Sequence, residues 1–129
     1  MAERATVIER IEQALEAQDF DVASALAGEL VATDGTDAEA LALEAWAEVR
    51  AGDVPEDALR AVLGKLDRAV STNRTNDRAV YYRGLAYKRL GNVPAAFRDF
   101  ARAMQLNPGH AGAEREVRLF AARVRKVTE

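Results

Sequence analysis

Between Asp77 and His110 the chain spaces small residues, aromatics and helix breakers so that little besides two helices joined by a tight turn can satisfy them. The stretch reads Val80-x2-Arg83-Gly84-x2-Tyr87, then Gly91, Ala96-x3-Phe100, Ala103 and Pro108. Gly91 permits a sharp turn. Asn92 follows as a helix N-cap candidate, with Pro94 suited to the first turn. Pro108 and Gly109 then stop the second helix. This punctuation predicts helices over 77–90 and 93–106.

The pattern recurs. Stepping back 34 positions from Ala103 and Asn107 reaches Ala69 and Asn73, and Gly52-Asp53-Val54-Pro55 reproduces Gly91-Asn92-Val93-Pro94. Gly52 lies 17 positions before Ala69, whereas Gly91 lies 12 before Ala103, so the middle unit carries five extra residues, expected in its second helix. Asp53 is the matching cap candidate, Pro55 the first-turn proline, and Glu56 and Asp57 favour a helix N-terminus. After His110 a last stretch is apolar at Ala113, Val117, Phe120, Ala121 and Val124, which is helical spacing. Seven helices are predicted, over about 3–17, 20–33, 37–51, 54–71, 77–90, 93–106 and 110–127. The fold class is all-α in a single domain spanning 1–129.

Composition agrees with a folded helical chain: 49% hydrophobic, 30% charged, three prolines and no cysteine. Disulfides and thiolate metal sites are therefore excluded. Met-Ala-Glu-Arg is followed by no apolar run, so no signal peptide is expected, and no stretch approaches the ~18 apolar residues of a membrane span. A cytoplasmic location is the expectation. Charge is unevenly placed: residues 1–64 hold 4 basic and 15 acidic side chains, and residues 65–129 hold 14 basic and 6 acidic, for a total of −3. Such a split gives the molecule an electrostatic direction.

Together these landmarks resemble the tetratricopeptide repeat family, whose 34-residue unit follows W-x2-L-G-x2-Y…A-x3-F…P. The resemblance spans nearly the whole chain, with repeats at about 4–37, 38–76 and 77–110 and a capping helix at about 110–127. The third repeat matches best. In the second, the first-helix landmarks become Leu41, Ala45 and Glu48. In the first, Gln18-Asp19-Phe20 stands where the family has Gly-Asp-Tyr, and Thr33-Asp34-Gly35-Thr36 replaces the turn Asn107-Pro108-Gly109-His110. The resemblance implies an α-solenoid that winds as a right-handed superhelix, with the first helix of each repeat lining a concave groove for a peptide or partner helix. Gly84, Tyr87, Ala96 and Phe100 are then structural. Arg83, where the simple pattern has Leu, should face Asp99, and Glu44 should face Lys65.

Carried onto this chain, the family's groove positions are Ala5, Ile8, Glu12, Leu15 and Glu16, then Glu39, Ala42, Trp46, Val49 and Arg50, then Arg78, Tyr81, Leu85, Lys88 and Arg89. The partner-binding candidates are Glu12, Glu16, Trp46, Arg50, Arg78, Tyr81, Lys88 and Arg89. Trp46 and Tyr81 each have two readings, as packing between helices or as an exposed anchor. One subset of the family clamps chaperone C-terminal carboxylates with Lys, Asn and Arg. Those positions hold Ile8, Glu12, Leu43, Arg78 and Tyr82 here, and only Arg78 suits an anion, so no such clamp is expected.

Chemistry for catalysis is missing from the sequence. There is no G-x-x-x-x-G-K-[ST], G-x-G-x-x-G or H-E-x-x-H, and the single histidine, His110, falls in a helix-start turn. Glu12 with Glu16 reads as solvated or groove-lining carboxylates, not as metal ligands. The expectations are no enzyme, no cofactor, no metal and no small-molecule substrate. The last helix carries Arg115, Arg118, Arg123, Arg125 and Lys126, which could meet phosphate or an anionic membrane. With one aromatic, Phe120, it lacks a base-stacking series, so nucleic acid is not expected as partner. The leading function is a protein-interaction adaptor. The alternatives are salt-dependent self-assembly of acidic on basic halves, or a peptide cradle like those of bacterial secretion chaperones.

Overall fold

The computed structural model describes residues 3–50 and 54–128. Seven α-helices follow in order: α1 Arg4–Glu16, α2 Phe20–Thr33, α3 Ala38–Arg50, α4 Glu56–Thr72, α5 Asp77–Arg89, α6 Val93–Leu106 and α7 Ala111–Thr128. No strand occurs among the described residues. Each helix packs on the next, α3 also touches α1, and α5 also touches α3, so antiparallel pairs stack serially.

Two turn devices set the helix boundaries, and each repeats along the chain. Between stacked pairs, a side-chain acceptor takes the backbone N–H two residues on: Asp34 from Thr36 at 2.9 Å, Asn73 from Thr75 at 3.1 Å, Asn107 from Gly109 at 3.1 Å. Three residues after each acceptor an N-cap follows: Asp37 accepts from Ala40, Asn76 from Ala79, and His110, through Nδ1, from Ala113, all at 3.1 Å. These caps satisfy N–H groups that a helix start leaves without an internal partner. The register differs by one residue from the sequence alignment: Asp34, not Thr33, is equivalent to Asn107. Thr33 instead closes α2 by donating to the Glu29 carbonyl at 3.0 Å.

Within pairs, α1 and α5 end alike. Asp19 N–H reaches the Ala14 carbonyl at 2.8 Å and Asn92 N–H the Tyr87 carbonyl at 2.9 Å, with one residue between helix and cap in left-handed conformation. That residue is Gly91 (φ 81°) in the third repeat and Gln18 (φ 59°) in the first. Asp19 and Asn92 then cap α2 and α6. In the middle pair, Gly52 and Asp53 lie outside the described residues. Pro55 is itself the N-cap and makes no side-chain bond, so α4 begins at Glu56, two residues later than expected from the sequence. α4 has 17 residues against 14 in α2 and α6.

Alanine makes the stack close. Ala23, Ala27, Ala45, Ala47, Ala69, Ala79, Ala86 and Ala103 are fully buried, with Ile11, Leu43, Val49 and Leu66 filling the spaces between. Gly84 carries this furthest: a Cβ there would stand 2.7 Å from Phe100 Cε1. Charged pairs cross the same interfaces. Arg83 donates from Nε and Nη2 to the two oxygens of buried Asp99 at 2.9 and 2.8 Å, and reaches Asp67 at 3.3 Å. The hydrogen bond to Asp99 raises the Arg83 pKa against the opposing effect of burial. Lys65 meets Glu44 at 3.4 Å as expected, yet its shorter contact is Glu48, at 2.7 Å.

α7 departs most from expectation. Ala113 is fully buried and Glu116 nearly so, but Leu119, Val124 and Val127 are 50%, 46% and 85% exposed. Burial is concentrated in the first half of the helix. Phe120 is half-buried, 4.4 Å from Phe97 at the edge of α6 rather than within a core.

Candidate functional site

The first helices of the three repeats, α1, α3 and α5, share one face, and the expected groove residues divide into three groups there. At one end Arg78 donates to Glu12 at 2.9 Å and lies 3.9 Å from Glu39, joining α5 to α1 and α3. Burial opposes charge on Arg78, but the hydrogen bond to Glu12 and the field of Glu39 outweigh it and raise its pKa.

At the α7 side, Tyr81 is half-buried between Tyr82, Phe100 and His110, at ring separations of 5.8, 5.8 and 4.5 Å. Gly112 of α7 lies directly over it: a Cβ on Gly112 would meet the Tyr81 hydroxyl oxygen at 2.6 Å. Burial raises the Tyr81 pKa, with Arg115 pulling the other way. Lys88 extends to Glu116 of α7 at 2.8 Å. Tyr81 and Lys88 therefore seat α7. Glu16 is exposed at the end of α1. Ala42 and Val49, also groove positions by resemblance, are fully buried.

The centre is different. Trp46 of α3 and Tyr82 of α5 stack face to face, centroids 5.0 Å apart and planes within 7°. Burial pushes the Tyr82 hydroxyl up to about 12. Trp46 is half-buried, with one face of its ring packed on Tyr82. Two arginines flank it. Arg50, one turn after Trp46, sits 5.9 Å from its ring and 5.2 Å from Phe20. Arg89, from the end of α5, sits 6.0 Å from the Trp46 ring and donates to the Val49 carbonyl at 3.4 Å. Both stand at helix C-termini, where the carbonyl end of the helix dipole favours a cation. Arg78 and Lys88 each have a carboxylate partner; among the described residues neither Arg50 nor Arg89 forms an ion pair. Glu56, which borders the same cleft as Arg89, is bound to Arg60 at 2.8 Å.

The sequence reading missed Tyr82 and Phe20 as parts of this centre. Tyr82 is four residues after Arg78, hence on the same helix face, and that spacing was the available signal. The clamp positions are closed to an anion: Leu43 is fully buried, Ile8 nearly so, Tyr82 is stacked, and Arg78 is held by Glu12. Among the described residues no group of three or more His, Cys, Asp or Glu could hold a metal. No helix there is long and apolar enough to cross a membrane.

No family model matches the sequence. No curated protein matches it either. Solved structures do. The first TPR domain of Spaghetti (RPAP3), bound to the HSP90 peptide SRMEEVD, superposes with TM-score 0.74 at 20% identity over 93% of this chain and 94% of that one. The Arabidopsis OM64 TPR domain gives TM-score 0.70 at 19% identity over 88% and 90%. YrrB, a TPR protein with an unusual peptide-binding site, gives 0.67 at 16% identity over 90% and 57%. With seven helices in the same serial stack, this chain has the tetratricopeptide repeat fold, three helix–turn–helix repeats followed by a seventh helix.

Proposed function

We propose that the protein is a non-catalytic interaction module whose concave face takes an acidic peptide segment of another protein, anchored at Trp46 between Arg50 and Arg89. One observation carries this reading: of the four cationic groove candidates, the two beside the exposed edge of Trp46 have no carboxylate partner of their own among the described residues. A guanidinium on an aromatic ring is held in place yet keeps donors for an incoming carboxylate. Aromatic and arginine side chains are also the commonest energetic anchors of protein interfaces.

RPAP3 shows that this fold can hold a peptide ending in Glu-Glu-Val-Asp. Here the five clamp positions are filled or paired, so the acidic segment is read by side-chain carboxylates at Trp46 and not by its chain terminus. The charge split along the sequence favours self-assembly less than it did, because Glu12 of the acidic half is already joined to Arg78 of the basic half within one molecule.

Selection of random peptides displayed on phage tests the proposal. Wild-type protein should enrich sequences with Asp or Glu beside an aromatic or aliphatic residue, and Trp46 fluorescence should change when they bind. The Arg50→Ala/Arg89→Ala protein should lose that enrichment. A selection without acidic bias, or one that the double variant reproduces, refutes the reading. Amidation of the C-terminus of a selected peptide should leave its binding unchanged, because side-chain carboxylates and not the chain end are read.

A further inference from the structure

One arginine position recurs from layer to layer. Asp37, Asn76 and His110 cap α3, α5 and α7, and Arg50, Arg89 and Arg123 each stand 13 positions after those caps. Their surroundings recur with them. Each crosses to the apolar residue at or just before the head of the preceding repeat's second helix: Arg50 lies 5.2 Å from the Phe20 ring, Arg89 shares a cleft with Val54, and Arg123 shares one with Val93. All three are exposed, and none forms an ion pair among the described residues. One turn earlier on the same helices stand Trp46, Leu85 and Leu119, each partly or fully exposed. α3 packs on α5, and α5 meets α7 through Tyr81 against Gly112 and Lys88 to Glu116, so the layers are consecutive. A row of guanidiniums therefore runs beside a row of apolar side chains, one of each per layer. In α1 the equivalent position after the cap Glu3 is Glu16, where the row ends.

We propose that these two rows read the spacing of acids in the partner: an extended segment crosses three layers with a carboxylate at every third residue, one for each of Arg50, Arg89 and Arg123, and apolar residues between them on Trp46, Leu85 and Leu119. This rests on the concave-face reading above and adds Arg123, which that reading does not use. The pitch supplies the argument. Packed helices stand about 8–10 Å apart. A polyproline II strand has three residues per turn and rises about 9.3 Å in that turn, so residues i, i+3 and i+6 face one way in step with the layers. An α-helix returns a side chain to the same face after seven residues and about 10.5 Å, which exceeds the layer spacing. A single nucleic-acid strand also carries periodic anions, but the apolar row holds one aromatic and two leucines, not a stacking series for bases.

The probes are fluorescent peptides built on three Glu-Pro-Leu units. One keeps all three glutamates, a second has glutamine in place of one terminal glutamate, and a third has the same composition with its glutamates consecutive. By fluorescence anisotropy the spaced three-acid peptide should bind about tenfold or more tightly than either of the others, as one charge-assisted contact implies. Arg123→Ala should remove that advantage, weakening the three-acid peptide about tenfold and leaving the two-acid peptide within about twofold. Arg118→Ala, which removes a charge from the same helix outside the row, should change neither. Helical circular dichroism should be the same in all variants. Equal binding of spaced and consecutive acids overturns the proposal. So does an Arg123→Ala effect that is absent or equal on both spaced peptides, or an oligothymidylate that binds as tightly as the three-acid peptide. If the two-acid peptide binds through Arg50 and Arg89 while spacing and Arg123 have no effect, the three-rung reading falls and the concave-face reading stands. If no peptide binds, both fall.

Discussion

Three glycines inside helices make one substitution report on three distances. A Cβ at Gly64 in α4 meets nothing within 4 Å; at Gly28 in α2 it lies 3.1 Å from a carboxylate oxygen of Glu44; at Gly84 in α5 it lies 2.7 and 2.9 Å from the Phe100 ring. Glycine to alanine in a helix interior is worth about 1 kcal/mol of stabilisation, through reduced freedom of the unfolded chain and better helix propensity. Gly64→Ala should realise that in full. At Gly28 the neighbour is the end of a flexible side chain that can swing away, loosening its 3.4 Å contact with Lys65, so the gain should fall to about half. At Gly84 the ring is locked in the core, only 3% exposed, and overpacking of this kind costs ~1–3 kcal/mol. The two effects leave Gly84→Ala destabilising by about 1–2 kcal/mol. Urea unfolding, read as a shift of midpoint at constant slope, measures all three. Phe100→Leu supplies the control: it removes the ring edge, so Gly84→Ala made on that background should become neutral or stabilising. If Gly64→Ala and Gly84→Ala change stability in the same direction, or if the Gly84 penalty persists beside Leu at position 100, close helix approach is not what selects glycine there.

Other outcomes follow from single contacts. Gln18 occupies a left-handed conformation that its counterpart Gly91 adopts without a Cβ, so Gln18→Gly should raise stability by up to ~1 kcal/mol in thermal melts. Arg83→Ala should cost about 2–3 kcal/mol, more than Asp99→Ala, because the Asp99 side chain is 7% exposed and would lose both of its donors, while Arg83 would keep Asp67 and contact with water. A double-mutant cycle should show the two losses to be non-additive. The Tyr82 hydroxyl is raised to about 12 from an unfolded value near 10, so its neutral form favours the fold. That contribution is complete below pH ~10 and is lost as pH rises towards 12, about 3 kcal/mol in all. Absorbance at alkaline pH should show one tyrosine ionising last, together with unfolding, and Tyr82→Phe should remove that step.

What could be read from the chain was whatever depends on neighbours along it. Asn92 and Pro94, Gly91, Pro108 and Gly109 act through local backbone geometry, and six of the seven helices begin within a residue of their predicted starts. The exception is α4, whose proline serves as the cap itself. The Arg83–Asp99 pair was legible because a repeat register fixes which positions of paired helices face each other. The same register could not choose between Glu44 and Glu48, which are one turn apart on the same face and both within reach of Lys65. The site was less legible. Helical periodicity shows that α7 is amphipathic, but not that Leu119, Val124 and Val127 stay exposed. Nor can a list of groove positions distinguish a cation that seats another helix, as Lys88 does, from one that lies on aromatic rings, as Arg50 does. That distinction depends on side-chain reach across three helices.

The contact between Arg78 and Glu12 joins residues 66 positions apart, skipping the repeat between them. A stack held only by adjacent layers behaves like a chain of linked segments, each free to bend a little on the next. A tie from the third layer to the first makes the inner face a bow with a string: widening the mouth must stretch the tie before it parts the layers. Its two ends are about one-third and one-half exposed, so dissolved ions weaken it. The curvature of this molecule should thus relax as ionic strength rises, and a guest seated at Trp46 would encounter a tighter hollow in dilute buffer than in concentrated salt.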